Sequence, residues 1–124
     1  MAKGRFIALL LFFLGLAGPA QAVVHFCQGT VSTVVTTWGG QVLTNIGHGL
    51  FGVCDLEGDS PHTSASKETC GAWYATLIAA KSTGTPVQFA LNTANAPNAN
   101  MTGCADLGSP AWVTRAPHTL YLLD

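Results

Sequence analysis

Cysteines, histidines, acids and tryptophans are the residues of this chain whose chemistry could define a function. Cys27, Cys54, Cys70 and Cys104 form no Cys-x-x-Cys pair, and no histidine stands at finger spacing from a cysteine pair. That pattern does not indicate zinc. An even cysteine count in a small exported domain reads instead as two disulfides. Three pairings are open. The favoured one joins Cys54 to Cys70 across the short polar segment between them. Cys27 then pairs with Cys104, tying the start of the domain to a late loop. Oxidised cysteines do not serve as thiol nucleophiles.

His25, His48, His62 and His118 belong to no His-Glu-x-x-His motif. His48 lies between two glycines and His62 in a polar stretch, so both read as solvated loop residues. The acids Asp55, Glu57 and Asp59, with Ser60, lack the loop pattern and terminal glutamate of an EF-hand. They read as a solvated turn. No Gly-x-Ser-x-Gly elbow is present. The residues therefore predict no catalytic site, no metal site and no cofactor. A small hydrolase would need an acid–base or nucleophile pair in one pocket, and the sequence displays none.

The tryptophans divide. Trp73 falls with Tyr74 on a helical face and reads as core. Trp38 lies at a hairpin tip and Trp112 in a long loop. An exposed indole can stack on a sugar ring or anchor a protein partner, so Trp38 and Trp112 are the candidate ligand-binding residues. The competing reading has Trp112 folded back to cap a small core. Asn92, Asn95, Asn98 and Asn100 offer hydrogen bonds to hydroxyls, and Asn100-Met101-Thr102 is a glycosylation sequon.

These residues need elements to hold them. Val31 to Thr37 is rich in β-branched residues and predicts a strand. Gly39-Gly40 suits a hairpin turn, and Gln41 to Ile46 returns. Leu50 to Leu56 is a third strand, with Gly52 a bulge or bend. Ser66 is a helix N-cap with Glu68 in the first turn. Cys70, Trp73, Tyr74, Leu77, Ile78 and Lys81 mark one helical face at period 3.6. Gly84 and Pro86 end the helix. Val87 to Leu91 alternates as a strand, Asn92 to Pro117 is a long loop anchored by Cys104, and His118 to Leu123 is a final strand.

The order β-β-β-α-β-β predicts a β-rich α+β domain. It matches a five-stranded OB-fold-like small barrel with the helix plugging one end. An open sheet carrying the helix has the same element string. The run Cys54-Asp55-Leu56, then the segment from Glu68-Thr69-Cys70-Gly71-Ala72-Trp73-Tyr74 through Ala79-Ala80-Lys81-Ser82-Thr83-Gly84 to Val87, resembles small exported bacterial proteins. It is also similar to the helix-to-strand segment of B subunits in the subtilase-cytotoxin and pertussis-like toxin group. That resemblance implies an OB-fold that assembles into pentamers and binds host glycans. It covers about a third of the exported chain, and no glycan-binding residue of that group matches a position here.

Composition sets the setting. The chain has 124 residues, 48% hydrophobic and 9% charged, enough for one domain. Residues 1–22 read as a signal peptide: Lys3 and Arg5, the apolar run Phe6 to Ala17, then Gly18-Pro19 and Ala20-Gln21-Ala22. The run is too short to span a bilayer. Residues 23–124 would then be a single disulfide-stapled domain, secreted or periplasmic. Its fixed cations are Lys67, Lys81 and Arg115 against six acids. Three cations cannot build a phosphate-binding patch or a polybasic membrane site, so nucleic acid is excluded as a partner. The expected function is a non-catalytic binding module for glycan or protein. The alternative is an assembly subunit of an envelope or secreted complex, with homo-oligomers formed through sheet edges.

Overall fold

A computed structural model describes residues 21–58 and 65–124. The signal segment, apart from Gln21 and Ala22, lies outside the described residues, as do Asp59, Ser60, Pro61 and His62. The elements are β1 (Val24–Gly29), β2 (Thr33–Thr36), β3 (Gln41–Asn45), β4 (Phe51–Asp55), α1 (Lys67–Thr83), β5 (Val87–Asn92) and β6 (Thr119–Leu122). The domain is β-rich with one helix, but it has six strands where the pattern predicts five. They form two antiparallel three-stranded sheets, ordered β1-β5-β6 and β2-β3-β4, and these do not close into a barrel.

The extra strand is β1. Its inward residues are His25, Cys27 and Gly29, paired with Leu91, Phe89 and Val87 of β5. Its outward residues include Val24 and Phe26, both exposed. The apolar side chains thus lie on the solvent face, opposite to the usual alternation, and pairing with β5 fixes the strand instead.

The two sheets face one another across the core. Phe51 of β4 and Phe89 of β5 meet edge to face at 5.4 Å. This is the geometry that places ring edge against π-face. One link joins the sheets, and one bridge ties β4 to the loop before β6. The chain passes directly from β1 to β2, where the Ser32 N–H donates to the Asn45 carbonyl. On the far side, Gly52 of β4 forms an isolated parallel bridge with Thr114. A Cβ on Gly52 would meet the side-chain amide of Gln41, so a larger residue here would push that side chain away from Thr114. The register of β3 and β4 shifts beside it, between Val42 and Leu43. The expected irregularity at Gly52 is therefore present.

The helix follows its sequence signals closely. Ser66 Oγ accepts from the Thr69 N–H, and Gly84 stops the helix at φ 70°. Its core stripe is corrected by one position. Cys70, Leu77 and Ala80 are buried, Trp73 and Tyr74 pack partly against the core, and Ile78 is exposed. The Cys54–Cys70 disulfide, with the two Cα atoms 5.6 Å apart, ties the first helical turn to β4. Among the described residues, no helix is long and apolar enough to cross a membrane.

Candidate functional site

Residues 93–118 connect β5 to β6 and carry Trp112. This stretch is held at many points. The Cys27–Cys104 disulfide ties it to β1, and with Cys54–Cys70 it leaves no free cysteine. These are the two pairs that the segment lengths favour. Short 3-10 turns occur at Ala96–Asn98 and Cys104–Asp106. The Gly108 N–H donates to the His48 carbonyl, and the Trp112 N–H donates to the Leu50 carbonyl. Gly108 and Gly49 pack backbone on backbone, too close for a Cβ on Gly108.

Arg115 organises the loop from within. It is 1% exposed. Its Nε donates to the Leu107 carbonyl at 3.1 Å. One terminal nitrogen donates to the Pro97 carbonyl at 2.8 Å and to Asn100 Oδ1 at 2.9 Å. The other donates to the carbonyls of Asp106 at 2.6 Å and Ser109 at 3.0 Å. All five guanidinium donors are used. Burial pushes the Arg115 pKa below its ordinary value, and the nearby Asp106 carboxylate opposes that shift. Reading Arg115 as one of three scattered cations missed this role. A lone arginine in a Pro- and Gly-rich stretch gives no pattern signal. Lys67 and Lys81 are the exposed fixed cations among the described residues.

Asn98 is fully buried and bonds the backbone at two places. Its Nδ2 donates to the Asn92 and Ala116 carbonyls, and its Oδ1 accepts from the Ala116 N–H. Asp106 Oδ2 accepts from both the N–H and the hydroxyl of Thr102. These bonds hold the Asp106 carboxyl below its ordinary value of 3.8, hydroxyl first and then backbone. A carboxylate with a lowered folded pKa adds stability above its unfolded pKa, and that stability is lost as pH falls through the folded value. We expect the wild-type urea midpoint to fall between pH 6 and pH 3 more than that of Asp106→Asn, roughly across the acidic limb below about pH 4. Equal slopes for the two proteins would contradict this.

Trp38 lies in the β2–β3 turn, where the Gly40 N–H donates to the Thr37 carbonyl. Its side chain is fully exposed. Trp112 is 61% exposed and holds φ at 67°, a left-handed conformation strained for a bulky side chain. It does not fold back as a cap. The two tryptophan-bearing loops are joined: Gln41 Nε2 donates to Thr114 Oγ1 at 3.0 Å, beside Gly52. Gln41 follows the turn of Trp38, and Thr114 stands two residues after Trp112.

His25 and His48 are half-buried on β1 and in the β3–β4 turn, while His118 is exposed at the start of β6. Among the described residues, no three of His, Cys, Asp and Glu cluster as a metal ion would require. Asp55 pairs in register with Gln41, and Glu57 packs against Gly40. Asn100 is exposed, with its side-chain oxygen taken by Arg115.

No family model, curated protein or solved structure matches this chain. The residues around Trp38 and Trp112 thus stand as the functional candidate on geometry alone.

Proposed function

We propose that the protein is an exported, non-catalytic binding module whose contact surface is formed by Trp38 and Trp112. The observation that carries this reading is the pair of exposed indoles on loops tied by the Gln41–Thr114 hydrogen bond. Exposing two large aromatics forgoes burial worth roughly 1.5–3 kcal/mol for a comparable apolar side chain. Strain at Trp112 adds about 1–3 kcal/mol, and such strain clusters at ligand-binding positions. Both costs are consistent with a surface kept for a partner. Glycan and protein are the two partner chemistries that flat, exposed indoles serve.

The six strands support an OB-like arrangement as the scaffold. On this reading β1 and β2 act as one bent strand shared by both sheets. The Gly52–Thr114 bridge would be the second seam, and α1 falls between the third and fourth strands of the ring. The Trp38 turn and the Trp112 loop would then be the first-to-second and fourth-to-fifth strand loops, the two that OB-folds use for ligands. This is also where the likeness to toxin B subunits belongs, as a proposal for the scaffold. Two disulfides suit a secreted or periplasmic site of action.

The test is a screen of the disulfide-bonded protein on arrays of glycans and of peptides. Trp38→Ala and Trp112→Gly are expected to lose binding about tenfold or more each, the scale of an interface hot spot. Glycine at 112 keeps the backbone geometry while removing the indole. Unchanged binding in both variants would overturn the proposal.

A second reading has its own observation. Val24, Phe26 and Tyr121 are exposed, and the strand registers place them on one outer face of the β1-β5-β6 sheet with Gln28, Gln88 and Thr119. A face without charged residues suits self-association, as in an assembly subunit. Light scattering at rising concentration tests it, with Phe26→Lys expected to return any oligomer to monomer.

A further inference from the structure

A cavity of about 530 Å³ lies between the 3-10 turn at Ala96–Asn98 and the segment Val113 to Arg115. That volume is within the usual range for ligand pockets, ~300–1,000 Å³. Ala96, Pro97, Ala99 and Val113 give it an apolar lining, and Asn100, Thr114 and Arg115 complete the wall.

Backbone direction decides what the cavity can take. Around Thr114 the carbonyl of Val113 and the N–H of Arg115 both turn toward Gly52, at 2.8 and 2.9 Å. In an extended segment the N–H and C=O of the intervening residue point the other way. Thr114 therefore presents both groups on the opposite edge, and neither has a partner among the described residues. Two residues on, Ala116 presents the same pair of groups on that same edge. Those are satisfied, by the side-chain amide of Asn98 at 2.8 and 2.9 Å. The edge is thus filled once by an amide and left open at the next position. The residues flanking Asn98 form the facing wall of the cavity at that open position.

We propose that this cavity binds an extended peptide segment of a partner protein, one residue of which pairs with Thr114. An amide N–H and C=O on one residue is the complement of the open edge, as the Asn98 amide is at Ala116. This is strand addition in its smallest form. The small apolar side chain of the paired residue rests on Pro97, Ala99 and Val113. The segment is uncharged at this point, because the guanidinium in the wall has no donor left to offer. The proposal goes beyond the tryptophan surface: it names a protein segment as the ligand of a cavity lined by neither indole.

The test is an amide NMR titration of the disulfide-bonded protein with a blocked tripeptide, acetyl-Thr-Val-Ser-N-methylamide, at millimolar concentration. The Thr114 amide is expected to move downfield, with smaller shifts at Ala99 and Val113. The same peptide methylated on the valine nitrogen is expected to bind about five- to tenfold more weakly, the worth of one hydrogen bond. Ala99→Phe, which fills the mouth from an exposed position, should abolish the Thr114 shift. A silent Thr114, an equal response to the methylated peptide, or shifts produced only by methyl glycosides would each overturn the proposal. Thr114 silence with loss of array binding in the tryptophan variants removes the peptide site alone. A Thr114 response with array binding unchanged in those variants removes the tryptophan surface alone.

Discussion

Arg115→Met is expected to destabilise the protein by about 3–5 kcal/mol, close to the cost of breaking a buried charged network. Methionine nearly matches the volume but supplies no donor. Four buried or half-buried carbonyls, of Pro97, Asp106, Leu107 and Ser109, lose their partner together with Asn100 Oδ1. Each buried acceptor left unpaired costs about 1–3 kcal/mol, less where water can enter. A domain of this size has only about 5–15 kcal/mol in total. The melting temperature should fall by roughly 15–30 °C, at roughly 4–8 °C per kcal/mol. Arg115→Lys should be almost as damaging, since one ammonium cannot reach donors fanned across the loop. Thermal unfolding followed by circular dichroism measures this. A fall of only a degree or two for Arg115→Met would show that the loop does not depend on its guanidinium.

The second large effect concerns the disulfides, and the two should differ. Cys27–Cys104 spans 77 residues and Cys54–Cys70 spans 16. Chain entropy gives about 4–5 kcal/mol for the long loop and about 3 kcal/mol for the short one. The long bridge also anchors the segment that carries Arg115 and Trp112. We expect Cys27→Ala/Cys104→Ala to lose more stability than Cys54→Ala/Cys70→Ala in guanidinium titrations. The first pair should also release Trp112, seen as a larger change in tryptophan emission. The opposite order would mean that strain or residual unfolded structure outweighs loop length.

Local chemistry explains what the sequence reveals here and what it hides. The helix is legible because cap, period and stop all agree: Ser66, the Cys70-to-Leu77 spacing and Gly84. The β2–β3 hairpin is legible from the β-branched run Val31 to Thr37 and the Gly39-Gly40 turn. Strand β1 is hidden because Val24 and Phe26 face outward, so its alternation runs against burial. The sheet pairing itself depends on contacts between residues some sixty positions apart, such as Cys27 with Phe89. No window along the chain carries that information.

The candidate site divides in the same way. Trp38 and Trp112 stand out by type, since large aromatics among Gly, Pro and Thr have an evident alternative use. Arg115, Asn98 and Thr114 do not stand out. Their roles come from which backbone groups are left unpaired once β4 lies beside residues 113–115. A polar residue in a loop is ordinary until the fold buries it, and nothing in its neighbours announces that burial. Ile78 errs the other way: it fits the helical period, but it is exposed and Ala80 is buried instead.

In the proposed function, Trp38 and Trp112 form one contact surface on a scaffold held by Arg115. The most direct measurement is array binding by wild type, Trp38→Ala and Trp112→Gly side by side, each checked for unchanged circular dichroism. One ligand class bound by wild type should be lost by about tenfold or more in both variants. Full binding retained by both, with the fold intact, would contradict it.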